Sequence, residues 1–86
     1  MFHTETISGG QFTVNGLSAV SIAIPRVDGY VPFASSLNIL TGSTGSSSVM
    51  YYFRNDDNNW TIRFLNVLST SATVKYNDFV VYYLKQ

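Results

Sequence analysis

An all-β fold, a small antiparallel β-sandwich or jelly-roll-like domain, is what these 86 residues predict, and three observations carry it. Apolar residues recur with a period of two along most of the chain, clusters of Gly, Asn, Asp, Pro and Ser interrupt those runs at short intervals, and no stretch sustains the period of an amphipathic helix. Roughly six to eight short strands result, as in sandwiches built from hairpins.

Residues 1–9 read as a flexible amino-terminal segment or a short strand, and residues 10–86 as one sandwich domain. "QFTVNG" alternates Phe12 and Val14 and ends in Asn15-Gly16, a pair that tolerates positive φ and therefore favours a tight turn. "LSAVSIAIP" sets Val20, Ile22 and Ile24 on one face and the small residues Ala19, Ser21 and Ala23 on the other, which predicts close approach by a second layer or subunit. Pro25 ends that strand, because it has no ladder donor, and Asp28-Gly29 signals the next turn. "YVPFASSLNIL" is a strand interrupted by Pro32, which places it at a sheet edge or a bend. The polar stretch 41–48 is low in complexity and reads as a loop. "VMYYFR" and "WTIRFLNVL" are β runs separated by the five residues of "NDDNN", a hairpin loop, and "STSA" is a polar connection. "TVKYNDFVVYYLKQ" alternates Phe79, Val81 and Tyr83 with Val80, Tyr82 and Leu84. A strand apolar on both faces calls for cover on both, and a symmetric neighbour is the simplest source of the second. Val80, Tyr82 and Leu84 are accordingly the candidate subunit interface.

Composition points the same way. A domain this small buries only about 60 to 65% of the surface its unfolded chain exposes, so its margin as a monomer is thin. With no cysteine and a single histidine, His3, neither disulfides nor a zinc site can supplement the core, and oligomerisation becomes the first suspect. Apolar residues are 45% of the chain and charged residues 12%, about half the usual share, which leaves apolar surface for another chain to cover. Five basic and five acidic residues cancel, removing the attraction that nucleic acid or an anionic membrane would need. Neither a signal peptide nor an apolar run long enough to span a membrane is present, so membrane insertion is not expected.

The residues offer little catalytic chemistry. His3 sits in the terminal segment and reads as a solvated residue or an expression remnant. The carboxylates of Asp56 and Asp57 are adjacent on a predicted hairpin tip, where nothing would separate their protonation states for hydrolysis. The oxygen ligands of "NDDNN" lack the spacing, glycine and distal glutamate of a calcium loop, so no metal and no cofactor are expected. Carbohydrate binding is the sharper hypothesis. Asp56, Asp57, Asn58, Asn59 and Trp60 combine amides and carboxylates that pair with hydroxyls and an aromatic face that stacks on a sugar ring. The competing reading has Trp60 pointing into the core with Ile62 and Phe64, whose face it shares by period two, and it carries more weight. Tyr51, Tyr52, Tyr76, Tyr82 and Tyr83 read first as core or subunit contacts.

Several motifs recur in one known group. A strand ending at Val14-Asn15, an apolar strand closed by Ile24-Pro25, Gly29-Tyr30 with Pro32, a variable polar loop, Arg54-Asn55, and a terminal run from Val80 to Lys85 resemble the carboxy-terminal head domain of phage and prophage tail-fibre or tail-tip proteins. The resemblance implies a non-enzymatic virion protein, a homotrimeric distal head that contacts a host-surface receptor, often a glycan and otherwise a protein. No catalytic or receptor-contact residue carries over. One departure is that nothing fibrous precedes the domain, which leaves an excised head or a small independent virion protein open. Two rivals stand beside this reading: a free-standing carbohydrate-binding module of a secreted bacterial protein, and a virion assembly or decoration protein without a ligand.

Overall fold

The computed structural model describes residues 2–40, 49–57 and 59–86. Eight strands follow one another: β1 (Phe2–Ile7), β2 (Gly10–Val14), β3 (Ala19–Ala23), β4 (Tyr30–Ser35), β5 (Val49–Asp56), β6 (Asn59–Asn66), β7 (Ala72–Tyr76) and β8 (Phe79–Lys85). All pairings are antiparallel, in three sheets ordered β1-β8-β4, β2-β7 and β3-β6-β5. The polar stretch 41–48 read as a loop lies outside the described residues.

Pairing is nested. β1 lies on β8, β2 on β7 and β3 on β6, so the first quarter of the chain runs back along the last third as one long, bent ribbon. β4 and β5 depart from the nesting, because β4 adds to the free side of β8 and β5 to the free side of β6. Of the two alternatives for residues 1–9, the structure has the strand: β1 pairs with β8 from Phe2↔Leu84 to Ile7↔Phe79. His3 is correspondingly half-buried, with its imidazole against the Glu5 carboxylate and its ring near those of Tyr30 and Tyr83, so it is not the loosely anchored terminal residue expected.

The ribbon bends where the sequence reads as one continuous terminal run. β7 and β8 are separate strands in different sheets, broken at Asn77-Asp78. Gly9 faces that break so closely that a Cβ there would lie 2.7 Å from the Tyr76 carbonyl oxygen, and its N–H donates to Asp78 Oδ1 at 2.6 Å. A bend in one strand is thus matched to a side-chain-free position in the other.

The inward faces of the three sheets share one core, in which Val14, Ile62, Phe64, Val74, Val81 and Tyr83 are fully buried. Aromatic rings link the layers: Phe12 sits edge-on to Phe64 at 4.9 Å, and Tyr76 lies 6.3 Å from Phe64 and 5.7 Å from Phe79. Tyr83, wholly buried, donates its hydroxyl to the Pro25 carbonyl oxygen at 2.6 Å. Burial, and secondarily the negative charge of Glu5, push its phenol up to about 12.

The only buried polar residue among those described is Asn66. Its Nδ2 donates to the carbonyls of Val14 at 3.1 Å and Thr70 at 2.8 Å and reaches that of Asn15 at 3.5 Å, while Oδ1 accepts from Leu68 N–H at 3.1 Å. This amide ties the β2–β3 turn to the β6–β7 connection. At the same place the two backbones nearly touch, since a Cβ on Gly16 would fall 2.1 Å from the Ser69 carbonyl oxygen. The next residue, Leu17, adopts φ 55 and is 71% exposed, which puts a strained aliphatic side chain at this end of the molecule beside exposed Val67 and Leu68.

Pro32 behaves as predicted from its missing N–H: β4 is an edge strand, and its register shifts between Pro32 and Ala34, leaving Phe33 at a bulge. Among the described residues no further layer packs over the small face of β3. Ser21 and Ala23 are exposed, and Arg63 and Leu65 of β6 and Met50 and Tyr52 of β5 continue that outer face.

Candidate functional site

The β5–β6 hairpin decides where the sequence-predicted residues go. Its ladder runs through Arg54↔Thr61, Asn55↔Trp60 and Asp56↔Asn59, so the connection is the two positions 57 and 58 and not the five-residue loop expected from "NDDNN". Asp57 takes φ 53, which an aspartate tolerates and a tight hairpin turn requires. Side chains therefore alternate to the very end of the hairpin. Asn55 and Trp60 form its last inward pair, in line with Phe53 and Ile62, whereas Asp56 and Asn59 are exposed and belong to the outer face. Asp57 is exposed at the turn, and Asn58 lies outside the described residues.

Of the described candidate residues, Trp60 borders a cavity. The space, about 170 Å³, is lined by Arg26, Asp28, Gly29, Tyr30, Asn55 and Trp60, with Val27, Val31 and Gln86 completing the wall. Trp60 is half-buried and packs against the core while part of it borders the cavity, so the two readings of this residue are not exclusive.

The facing wall is the β3–β4 connection, and three backbone bonds hold it. Ile24 N–H donates to the Trp60 carbonyl at 3.1 Å, Tyr30 N–H closes a four-residue turn on the Val27 carbonyl at 3.0 Å, and Gln86 N–H donates to the Gly29 carbonyl at 2.9 Å. Gly29 occupies the third turn position with φ 80, where a residue with a side chain would be strained. The Tyr83 hydroxyl adds a fourth tie through Pro25. On this wall Arg26 Nε lies 3.1 Å from Asp28 Oδ1, and both side chains stay largely exposed. The result is a concave polar surface with one aromatic side, in which a guanidinium and a carboxylate stand next to each other.

A second cavity, about 130 Å³, lies between Ser35 of β4 and Tyr51, Tyr52, Phe53 and Ile62 of the β5–β6 hairpin; its lining is almost wholly apolar, and it gathers no set of polar groups. Among the described residues no group of three or more His, Asp or Glu is placed to hold a metal ion.

The candidate interface strand divides as its alternation dictates. Phe79, Val81 and Tyr83 are in the core; Val80 is half-buried, and Tyr82 and Leu84 are exposed on the outer face of β1-β8-β4. Among the described residues that face is uncharged and largely apolar. Phe2 pairs with Leu84, Thr4 with Tyr82 and Thr6 with Val80, Val31 and Ala34 lie on the other side of β8, and the Phe33 ring sits 5.5 Å from that of Phe2. Among the described residues nothing covers Phe2, Phe33, Tyr82 or Leu84.

The sequence did not single out Arg26, Asp28, Tyr30, Asn55 or Gln86 as site residues. Asp28-Gly29 was legible as a turn, and the ladder position of Asn55 opposite Trp60 would have followed from a two-residue hairpin connection; that the turn and the hairpin meet is a tertiary fact with no local signal. Comparison with protein-family models, with curated sequences and with solved structures gives no match for this chain.

Proposed function

We propose that the chain is a non-enzymatic virion structural protein, the homotrimeric head of a phage tail fibre or tail tip, which binds a glycan on the host surface. The observation that carries the binding part is the polar cavity with Trp60 on one side and the Arg26–Asp28 pair on the other. Hydroxyl-rich ligands need paired donors and acceptors, and this polar cavity offers them beside Trp60. The assembly part is supported by the uncharged outer face of β1-β8-β4, whose exposed Phe2, Phe33, Tyr82 and Leu84 form the kind of patch that marks contact surfaces. The nested pairing of β1–β3 with β8–β6 supports the jelly-roll-like description of the sandwich.

Phe2, Gln86 and the cavity lie at the same end of the molecule. In a fibre joined to the chain at its amino terminus, the receptor would thus approach the cavity from the side, and the outward end would carry Leu17, Val67 and Leu68.

A second reading, a free-standing carbohydrate-binding module, rests on the same cavity. Glycan-array binding combined with light scattering separates the two. The fibre-head reading requires a trimer that binds glycans or host cells. A stable monomer that binds glycans favours the module, and a trimer that binds neither glycan nor host cell favours an assembly or decoration protein.

A further inference from the structure

Taking the glycan-binding reading of the cavity as its basis, we infer that the site accepts one neutral pyranose ring, the terminal residue of a glycan, and discriminates against anionic sugars. Size sets the single ring. At about 170 Å³ the cavity is smaller than the roughly 300 to 1,000 Å³ of sites for drug-sized ligands, a size that suits one sugar ring, and residues of the β3–β4 connection, the hairpin end and Gln86 line it.

Charge sets neutrality. Arg26 is already compensated by Asp28 at 3.1 Å, and the same end of the molecule carries Arg54 and Lys85 against Asp56 and Asp57, an even balance. A carboxylated, sulfated or phosphorylated sugar would find the Arg26 guanidinium already paired and would meet the Asp28 carboxylate. Neighbouring hydroxyls on a neutral ring have the complementary pattern: one donates to the Asp28 carboxylate, and the next accepts from the Arg26 guanidinium. Trp60, which packs against the core, also borders the cavity, so a bound ring would lie next to it. The three backbone ties of the β3–β4 connection and the Tyr83–Pro25 bond hold these groups in place before a ligand arrives, which lowers the ordering cost of binding.

Trp60 is the only tryptophan, so its emission reports on this site alone. The full chain is titrated with the methyl glycosides of glucose, galactose and mannose, and separately with glucuronate and N-acetylneuraminate, following Trp60 fluorescence and ligand saturation-transfer signals. At least one neutral glycoside is expected to shift Trp60 emission, with both acids at least about tenfold weaker, as loss of about 1.4 kcal/mol implies. Asp28→Asn and Arg26→Gln should each weaken that neutral ligand about tenfold, the cost of one charge-assisted hydrogen bond, with an unchanged melting temperature because both side chains are exposed. Preference for an acidic sugar overturns the inference while leaving a glycan site in place. Glycan or host-cell binding that neither moves Trp60 emission nor responds to the two variants overturns it by placing the site elsewhere. Failure to bind any glycan or host cell removes the underlying reading as well.

Discussion

Replacing Asn66 by aspartate changes one atom's chemistry and should remove much of the domain's stability. The wild-type amide nitrogen faces the carbonyl oxygens of Val14, Asn15 and Thr70 in a site with no solvent exposure. A carboxylate oxygen there would turn two good donor bonds into repulsions, and losing such bonds costs about 1 kcal/mol each before any charge is counted. The new carboxyl escapes by staying protonated, which at pH 7, some three units above an ordinary aspartate, costs about 4 kcal/mol more. The expected loss is therefore about 4 to 6 kcal/mol, against a total of about 4 to 13 kcal/mol for a chain of this length. The sign of the pH dependence follows from linkage. A carboxyl whose folded pKa is raised binds more protons folded than unfolded above pH 4, so the deficit relative to wild type grows with pH by up to about 1.4 kcal/mol per unit and shrinks toward pH 4. Urea unfolding followed by circular dichroism at pH 4.5 and pH 7, on both proteins, measures it. A deficit below about 0.5 kcal/mol at pH 7, or one that does not shrink on acidification, would refute the assignment of Asn66 as the donor that closes this corner.

Other perturbations test other parts of the account. Gly16→Ala should cost about 3 kcal/mol or more, because the new methyl would lie 2.1 Å from the Ser69 carbonyl oxygen and backbone must move; a melting temperature equal to wild type would contradict that close approach. Leu17→Asn should stabilise by about 0.5 to 1 kcal/mol, since asparagine tolerates φ 55 better and little burial is lost; destabilisation in chemical unfolding would mean that the exposed leucine packs on something. The Tyr83 phenol, raised by burial to about 12, keeps its proton in the folded state while an unfolded tyrosine loses it near 10. Its contribution is complete below pH 10 and fades by up to about 1.4 kcal/mol per unit between pH 10 and 12, and Tyr83→Phe, at a cost of about 1 kcal/mol at neutral pH for the lost Pro25 bond, should flatten that alkaline slope. An equally steep slope in the variant would assign it to another group.

Many of the strands were legible because burial on one face leaves a period-two trace. The alternation of Phe79, Val81 and Tyr83 with Val80, Tyr82 and Leu84 correctly separates two faces, and Pro32 marks an edge through its missing donor. What the sequence hid is what depends on meeting partners. "KYNDFVV" reads as continuous because Asn77-Asp78 is a weak break by itself; the bend exists because Gly9, remote in sequence, can approach it. The polar run "NDDNN" looked like a loop because its residues favour turns, yet ladder pairing continued through Asn55, Asp56 and Asn59 once Asp57 adopted φ 53. That extension moves Asp56 and Asn59 away from Trp60 and brings Asn55 to it, so the candidate site keeps its aromatic and changes its polar partners. Asn66, the residue that knots the corner, is an ordinary asparagine in sequence and is set apart only by its burial.

The central claim is that this chain is an assembling receptor-binding head, and its solution mass tests that most directly. Sedimentation equilibrium over a wide concentration range should give three times the 9.6 kDa chain mass, and Tyr82→Lys with Leu84→Lys, on the exposed face of β8, should return the protein to a folded monomer. A wild-type mass of 9.6 kDa at every concentration would contradict the account.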